Sequence, residues 1–173
     1  MARDLTCLCA LGNKIACIPN SLGLVKDRGM LLELDADALV SPPAEVYAKG
    51  TSIALAYLSR LQDSESTRNL SLAKWNLAIL PVEVTDLAQL TDLSVASNKI
   101  SVLPPQIRKL RALIKLNLSN NLTTGIGAIR KLWALIKLNL SNNLITALPP
   151  ELGAGVLTEL VLCAAALTTL LER

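Results

Sequence analysis

Histidine and phenylalanine are absent from this sequence, and tryptophan and tyrosine occur twice each. Without histidine there is no Ser-His-Asp or Cys-His arrangement and no imidazole general base. A Cys/His metal site is excluded by the same absence. The four cysteines, Cys7, Cys9, Cys17 and Cys163, form no C-x-x-C pair, and reduced thiols in a cytoplasmic protein are the expectation. Long hydrophobic runs are also lacking. Although 51% of the residues are hydrophobic, polar residues interrupt them well short of the ~20 needed to span a bilayer. Met1-Ala2-Arg3-Asp4 leads into no extended apolar region, so no secretory signal is expected. A core of Leu, Ile, Val and Ala with almost no aromatic content points to repeating layers of one standard thickness.

The repeats are visible directly. Arg108-Lys109-Leu110, then Ala112-Leu113-Ile114-Lys115-Leu116-Asn117-Leu118-Ser119-Asn120-Asn121-Leu122, returns 22 residues later as Arg130-Lys131-Leu132 and Ala134 to Leu144, the one difference being Arg111 against Trp133. The shared pattern is L-x-x-L-x-L-x-x-N-x-L-x-x-L-P. Leu90, Leu93, Val95, Asn98, Ile100, Leu103 and Pro104 follow it, as do Leu5, Leu8, Ala10, Asn13, Ile15, Ile18 and Pro19. Weaker copies run from Leu32 to Pro43, Leu70 to Pro81 and Leu157 to Leu171.

The spacing has a physical meaning. Alternation at Leu116 and Leu118 has period two, the signature of a short strand with one buried face. Strands stacked at about 4.8 Å build a parallel sheet. An Asn just beyond each strand can stay buried and bond the free backbone groups of the turn, and Asn13, Asn98, Asn121 and Asn143 are the predicted ladder. The Leu-Pro step ends the turn, because Pro fixes φ and cannot donate. The pattern resembles the leucine-rich-repeat superfamily, specifically its short intracellular repeats of about 23 residues. That resemblance implies an α/β fold: a leucine-rich-repeat solenoid with a parallel concave sheet, an irregular or short-helical convex side, and an interposed helical segment. Members of this type are scaffolds and recognition modules, often in signalling.

Residues 42–61 break the repeat. Thr51 is a candidate N-cap, and Ile53, Tyr57 and Leu61, with Ala54 and Leu58, form a helical stripe. Pro43-Ala44-Glu45-Val46, Lys49-Gly50-Thr51 and the run to Leu58 resemble a segment that closes arrays in the family of leucine-rich repeat-containing protein 40. Here Asp35-Ala36-Asp37-Ala38-Leu39 replaces that family's D-G-N-P-L. The polar run Gln62 to Asn69 reads as a linker. The predicted organisation is a short array over 1–41, a helical cap-like segment over 42–61, a linker over 62–69 and a second array over 70–173. The outermost repeats carry no polar cap and Ala165 replaces the ladder Asn, so a fragment, or self-association through uncapped ends, is expected.

Nothing points to catalysis or to a small-molecule substrate. Asp35 and Asp37 sit on a degraded turn, Gly125-Ile126-Gly127 lacks the third glycine of a nucleotide loop, and no cofactor or metal site is recognisable. The sequons at Asn69, Asn117, Asn121 and Asn139 arise from the repeat itself. Charge distribution is more informative. No Asp or Glu lies between Leu93 and Pro150, whereas Lys99, Arg108, Lys109, Arg111, Lys115, Arg130, Lys131 and Lys137 do. The strand positions Asp92, Lys115, Asn117, Lys137, Asn139 and Glu159 are the candidate partner-binding residues. A protein partner, acidic in character, is expected. Aromatic stacking groups are too few to favour nucleic acid, and a membrane surface is the weaker alternative for the basic segment.

Overall fold

The computed structural model describes residues 5–149, 151–152 and 156–163. The chain divides into two compact units, Met1–Ser66 and Thr67–Arg173. Among the described residues no helix is long and apolar enough to cross a membrane. The end of the last predicted repeat, including Ala165 and Leu171, lies outside the described residues.

The first unit opens with two parallel strands, β1 (Cys7–Cys9) and β2 (Leu31–Glu33), with Leu8 opposite Leu32. Pro19 leads into a 3-10 helix over Asn20–Arg28, and Gly29 at φ 65° ends it, a left-handed conformation that favours glycine. Helices α1 (Ala44–Tyr47) and α2 (Thr51–Thr67) follow. α2 buries Ala54, Leu55, Tyr57, Leu58 and Leu61, residues spaced for one helical face. Ile53, expected on that stripe, is 40% exposed, and Leu55 takes its place in the core. The helix also continues to Thr67 through most of the expected 62–69 linker. Ser64 explains why. It lies on the face of Leu61 and Tyr57, is buried, and its Oγ donates to the Leu61 carbonyl at 2.7 Å. Its hydroxyl is thus satisfied inside the helix, and polarity alone does not break the turn.

α1 and α2 also seal β2. The Leu34 N–H donates to Tyr47 Oη at 2.8 Å, and Tyr47 Oη donates to the Leu32 carbonyl at 3.0 Å. The Leu32 N–H donates to Thr51 Oγ1 at 3.2 Å, which also donates back to the Leu32 carbonyl. Two side-chain hydroxyls thus occupy the backbone groups that another parallel strand would use, closing a sheet edge without a strand. Thr51, predicted as an N-cap, is the first helical residue, and its hydroxyl is engaged with the strand.

The second unit is a five-stranded parallel sheet in sequential order: β3 (Asn69–Ser71), β4 (Asp92–Ser94), β5 (Lys115–Asn117), β6 (Lys137–Asn139) and β7 (Glu159–Val161). β3 to β6 are short because one buried leucine between two outward residues is all the repeat supplies, whereas Leu160 at the same place in β7 is 36% exposed. Leu70, Leu93, Leu116 and Leu138 sit opposite one another in register and are at most 2% exposed. The returning segments carry α3 (Val82–Thr85) and 3-10 turns at Pro105–Lys109 and Ile129–Lys131. Val84, Ile107 and Ile129 are their buried anchors. Pro81 and Pro104 stand immediately before the first two, where a fixed φ and a missing N–H cost nothing.

Candidate interaction face and the frame that holds it

The face is positioned by a ladder of buried amides. Asn98 Oδ1 accepts the Leu77 N–H at 3.0 Å, and its Nδ2 donates to the carbonyls of Leu72 and Val95, each at 2.8 Å. Asn121 accepts from Ile100 at 3.0 Å and donates to Val95 at 3.0 Å and Leu118 at 2.9 Å. Asn143 accepts from Thr123 at 3.1 Å and donates to Leu118 at 2.9 Å and Leu140 at 3.0 Å. Each amide ties its own turn to the preceding one. The residues just before these turns, Ser97, Asn120 and Asn142, have φ of 55–56°. The left-handed step turns the chain off the strand and lets the next side chain point inward. Asn13 departs from the ladder: it is exposed, and its Nδ2 reaches only the carbonyls of Ala10 and Leu11 in its own turn. No earlier layer among the described residues meets it, and its backbone N–H goes instead to Asp35 Oδ2 at 2.9 Å.

On the outward side, the first residues of the strands form one row: Asn69, Asp92, Lys115, Lys137 and Glu159. The third residues form a second row: Ser71, Ser94, Asn117, Asn139 and Val161. Period-two geometry puts both rows on one face, and all of them but Ser71 line a shallow groove.

The register places Lys115 beside Lys137, yet the two ammonium groups turn apart. Lys115 Nζ lies 2.8 Å from Asp92 Oδ1, and Lys137 Nζ lies 2.6 Å from Glu159 Oε2. Thr91 Oγ1 donates to the other Asp92 oxygen at 2.9 Å. Like charges on adjacent strands repel, and each lysine finds a carboxylate on its far side. The row therefore reads negative, positive, positive, negative, with no net charge. The lysine side chains remain 56% and 51% exposed, so each pair contributes at most about 1 kcal/mol to stability.

The second row is oriented by the backbone. Asn117 Oδ1 accepts the Ser119 N–H at 3.0 Å, and Asn139 Oδ1 accepts the Ser141 N–H at 3.0 Å and the Ser141 hydroxyl at 2.8 Å. Each carbonyl oxygen accepts from the turn after its strand, and the amide NH2 groups make no hydrogen bond among the described residues. The two strands duplicated in sequence thus present chiefly donors.

Of the rest of the basic stretch, Lys99 is exposed in the turn after Asn98 and the others lie on the returning segments. Lys109 pairs with Asp86 at 2.6 Å and Arg130 approaches Glu151 at 3.9 Å. Arg108, Arg111 and Lys131 make no ion pair among the described residues. Trp133, in the repeat position of Arg111, is 65% exposed. All four cysteines are free and exposed. The Cys9 thiol is held above its ordinary pKa, chiefly by its hydrogen bond to Glu33 on the neighbouring strand, which lowers its reactivity. No cluster of three His, Cys, Asp or Glu able to hold a metal occurs among the described residues. Asp92 and Glu159 as partners of the two lysines were visible in the register. Nothing in the repeat pattern marks the Tyr47 and Thr51 seal.

Comparison with known proteins agrees with this architecture. Residues 88–145 match the family model for the leucine rich repeat. No curated protein matches the chain. The leucine-rich-repeat domain of a Shigella effector is 26% identical with a TM-score of 0.50, over 69% of this chain and 60% of that one. A leucine-rich-repeat protein of Leptospira interrogans shares the fold at 23% identity and a TM-score of 0.52, over 97% of this chain and 45% of that one. The chain thus spans less than two thirds of the length of either. Taken with the sheet and its asparagine ladder, these matches give the chain the α/β leucine-rich-repeat solenoid fold.

Proposed function

We propose that the chain is a protein-recognition module that binds a protein partner on the open face of its five-stranded sheet, without turnover. The observation that carries this is the regular register of the two outward rows. Backbone register and the amide ladder fix their spacing, so ordering them on binding loses little entropy. Asp92, Lys115, Asn117, Lys137, Asn139 and Glu159 are the contact residues in this reading. The resemblance of residues 42–61 to the closing segment found in the family of leucine-rich repeat-containing protein 40 is supported by how Tyr47 and Thr51 seal β2. Free thiols fit a reducing, cytoplasmic setting and a signalling or scaffold role.

The experiment is affinity capture with three baits: the wild-type chain, Lys115→Glu/Lys137→Glu, and Arg108→Glu/Lys131→Glu on the returning segments. The expected result is a partner retained by the first and third and lost by the second at low salt. A partner equally retained by all three would defeat the proposal.

A second reading is favoured by the lengths of the similar structures. The Shigella match is itself described as a domain of an effector. In this reading the array is the regulatory or targeting part of a larger signalling protein, and a longer transcript carrying a further domain would establish it.

A further inference from the structure

Building on the proposed recognition face, we infer that β5 and β6 form a carboxylate-binding site that reads an extended segment with the order basic, spacer, acidic, spacer, basic. The centre of the face is rich in donors. Each lysine has three N–H groups, and its ion pair with Asp92 or Glu159 leaves donors over. The Oδ1 atoms of Asn117 and Asn139 accept from the Ser119 and Ser141 backbone, so their NH2 groups have no bond among the described residues. One carboxylate between Lys115 and Lys137 would take charge-assisted bonds from both ammonium groups and relieve their mutual repulsion. To reach it each ammonium swings inward from Asp92 or Glu159, and basic side chains of the segment take over the two released carboxylates.

The flanking acids define what must lie on either side. Asp92, Lys115, Lys137 and Glu159 occupy successive strands in one register. At about 4.8 Å per strand, the two acids lie roughly 7 Å to each side of the midpoint between the lysines. Alternate side chains of an extended chain are spaced by about 6.7 Å on one face. A segment lying across the strands therefore places its first and fifth side chains over Asp92 and Glu159 when its third lies between the lysines. Basic residues there complete the complementarity. A polyanion is disfavoured, because its charge would continue over Asp92 and Glu159 and be repelled on both sides. The same balance argues against nucleic acid, whose binding draws on many phosphate contacts at once.

The test is titration of the isotope-labelled full chain by NMR, following the side-chain amides of Asn117 and Asn139. Three end-blocked peptides are compared: Lys-Ser-Glu-Ser-Lys, its permutation Glu-Ser-Lys-Ser-Lys of equal net charge, and Lys-Ser-Gln-Ser-Lys. Inorganic phosphate is the fourth ligand. The expected result is that the first peptide shifts both amides and binds about tenfold more tightly than the other two. Lys115→Gln/Lys137→Gln, which removes charge without adding repulsion, should abolish the response while the backbone spectrum is retained. Equal binding by the permuted peptide overturns the charge order. No shift at millimolar peptide, or a stronger response to phosphate than to the first peptide, overturns the carboxylate site. If the peptides fail while partner capture still depends on Lys115 and Lys137, this inference falls and the recognition face stands. If the ordered peptide binds while capture is insensitive to both lysines, the inference stands and the proposed function falls.

Discussion

Replacing ladder asparagines with alanine should cost different amounts, and the difference can be worked out from who else serves each carbonyl. Asn121→Ala removes the acceptor for the buried Ile100 N–H. The Val95 carbonyl keeps its bond from Asn98, and the Leu118 carbonyl keeps its bond from Asn143. One backbone group is orphaned, and the expected loss is about 1–3 kcal/mol. Asn98→Ala leaves two groups without a partner: the Leu77 N–H and the Leu72 carbonyl, to which Asn98 is bound. The expected loss is about twice as large, roughly 2–6 kcal/mol. Asn13→Ala, an exposed position, should stay within about 0.5 kcal/mol. Both tryptophans, Trp75 and Trp133, lie in the second unit, so urea unfolding followed by tryptophan fluorescence reports the two ladder variants there. Far-UV circular dichroism reports the Asn13 variant. If Asn98→Ala and Asn121→Ala cost the same, sharing of carbonyls between neighbouring amides is not what holds the turns. If both fall under about 0.5 kcal/mol, water replaces the amides and the ladder is incidental.

Three further outcomes follow from the first unit. A methyl group on Gly23 would stand 2.0 Å from the Ser59 backbone nitrogen and 2.5 Å from its Cα. Gly23→Ala should therefore destabilise by about 1–3 kcal/mol or more, read as an earlier loss of helical circular dichroism on heating; an unchanged melt would refute the close approach. Tyr47→Phe strands the Leu34 N–H that Tyr47 Oη now accepts, and should cost about 1–3 kcal/mol in urea unfolding followed at 222 nm, a loss absent if water replaces the hydroxyl. Glu33 holds the proton on Cys9 and keeps its pKa raised. Less thiolate is then present at a given pH, so Glu33→Gln should lower the pH midpoint of Cys9 alkylation, and an unchanged midpoint would clear Glu33 of that role.

The repeating part of the fold was legible because a buried layer leaves little freedom. Leu93, Leu116 and Leu138 stand at intervals set by one turn of the solenoid, and their alternation with polar neighbours fixes which side faces out. The same logic applies to Asn98, Asn121 and Asn143, where a buried polar side chain is tolerated only if the backbone needs it. Asn13 shares the motif and not the environment, because a ladder bond joins two layers and no earlier layer among the described residues meets it. The polar run at Ser64 and Ser66 read as a linker because composition does not reveal a serine whose hydroxyl returns to the carbonyl three residues back. The seal on β2 was hidden for a similar reason. Tyr47 and Thr51 lie on separate helices, and only the fold brings their hydroxyls to Leu32 and Leu34.

Charge is where reading along the chain misleads most, and this has a measurable consequence. The stretch from Leu93 to Pro150 is purely basic as a window of sequence, but the open face is built across strands, and the register brings Asp92 and Glu159 in from just outside that window. The row is balanced as a result, and Arg108, Arg111 and Lys131, which make no ion pair among the described residues, lie on the returning segments. A partner bound on the face should therefore show a shallow dependence of affinity on salt, because approach to a neutral row is not steered over long range. Exchange of one ion pair for another also changes the screened charge little. A partner bound through the returning segments would show a steep loss of affinity between low and physiological salt, removed by Arg108→Glu/Lys131→Glu. Measuring partner affinity at two ionic strengths, with that variant alongside Lys115→Gln/Lys137→Gln, separates the two. A steep slope that survives replacement of both face lysines would move the binding surface off the sheet.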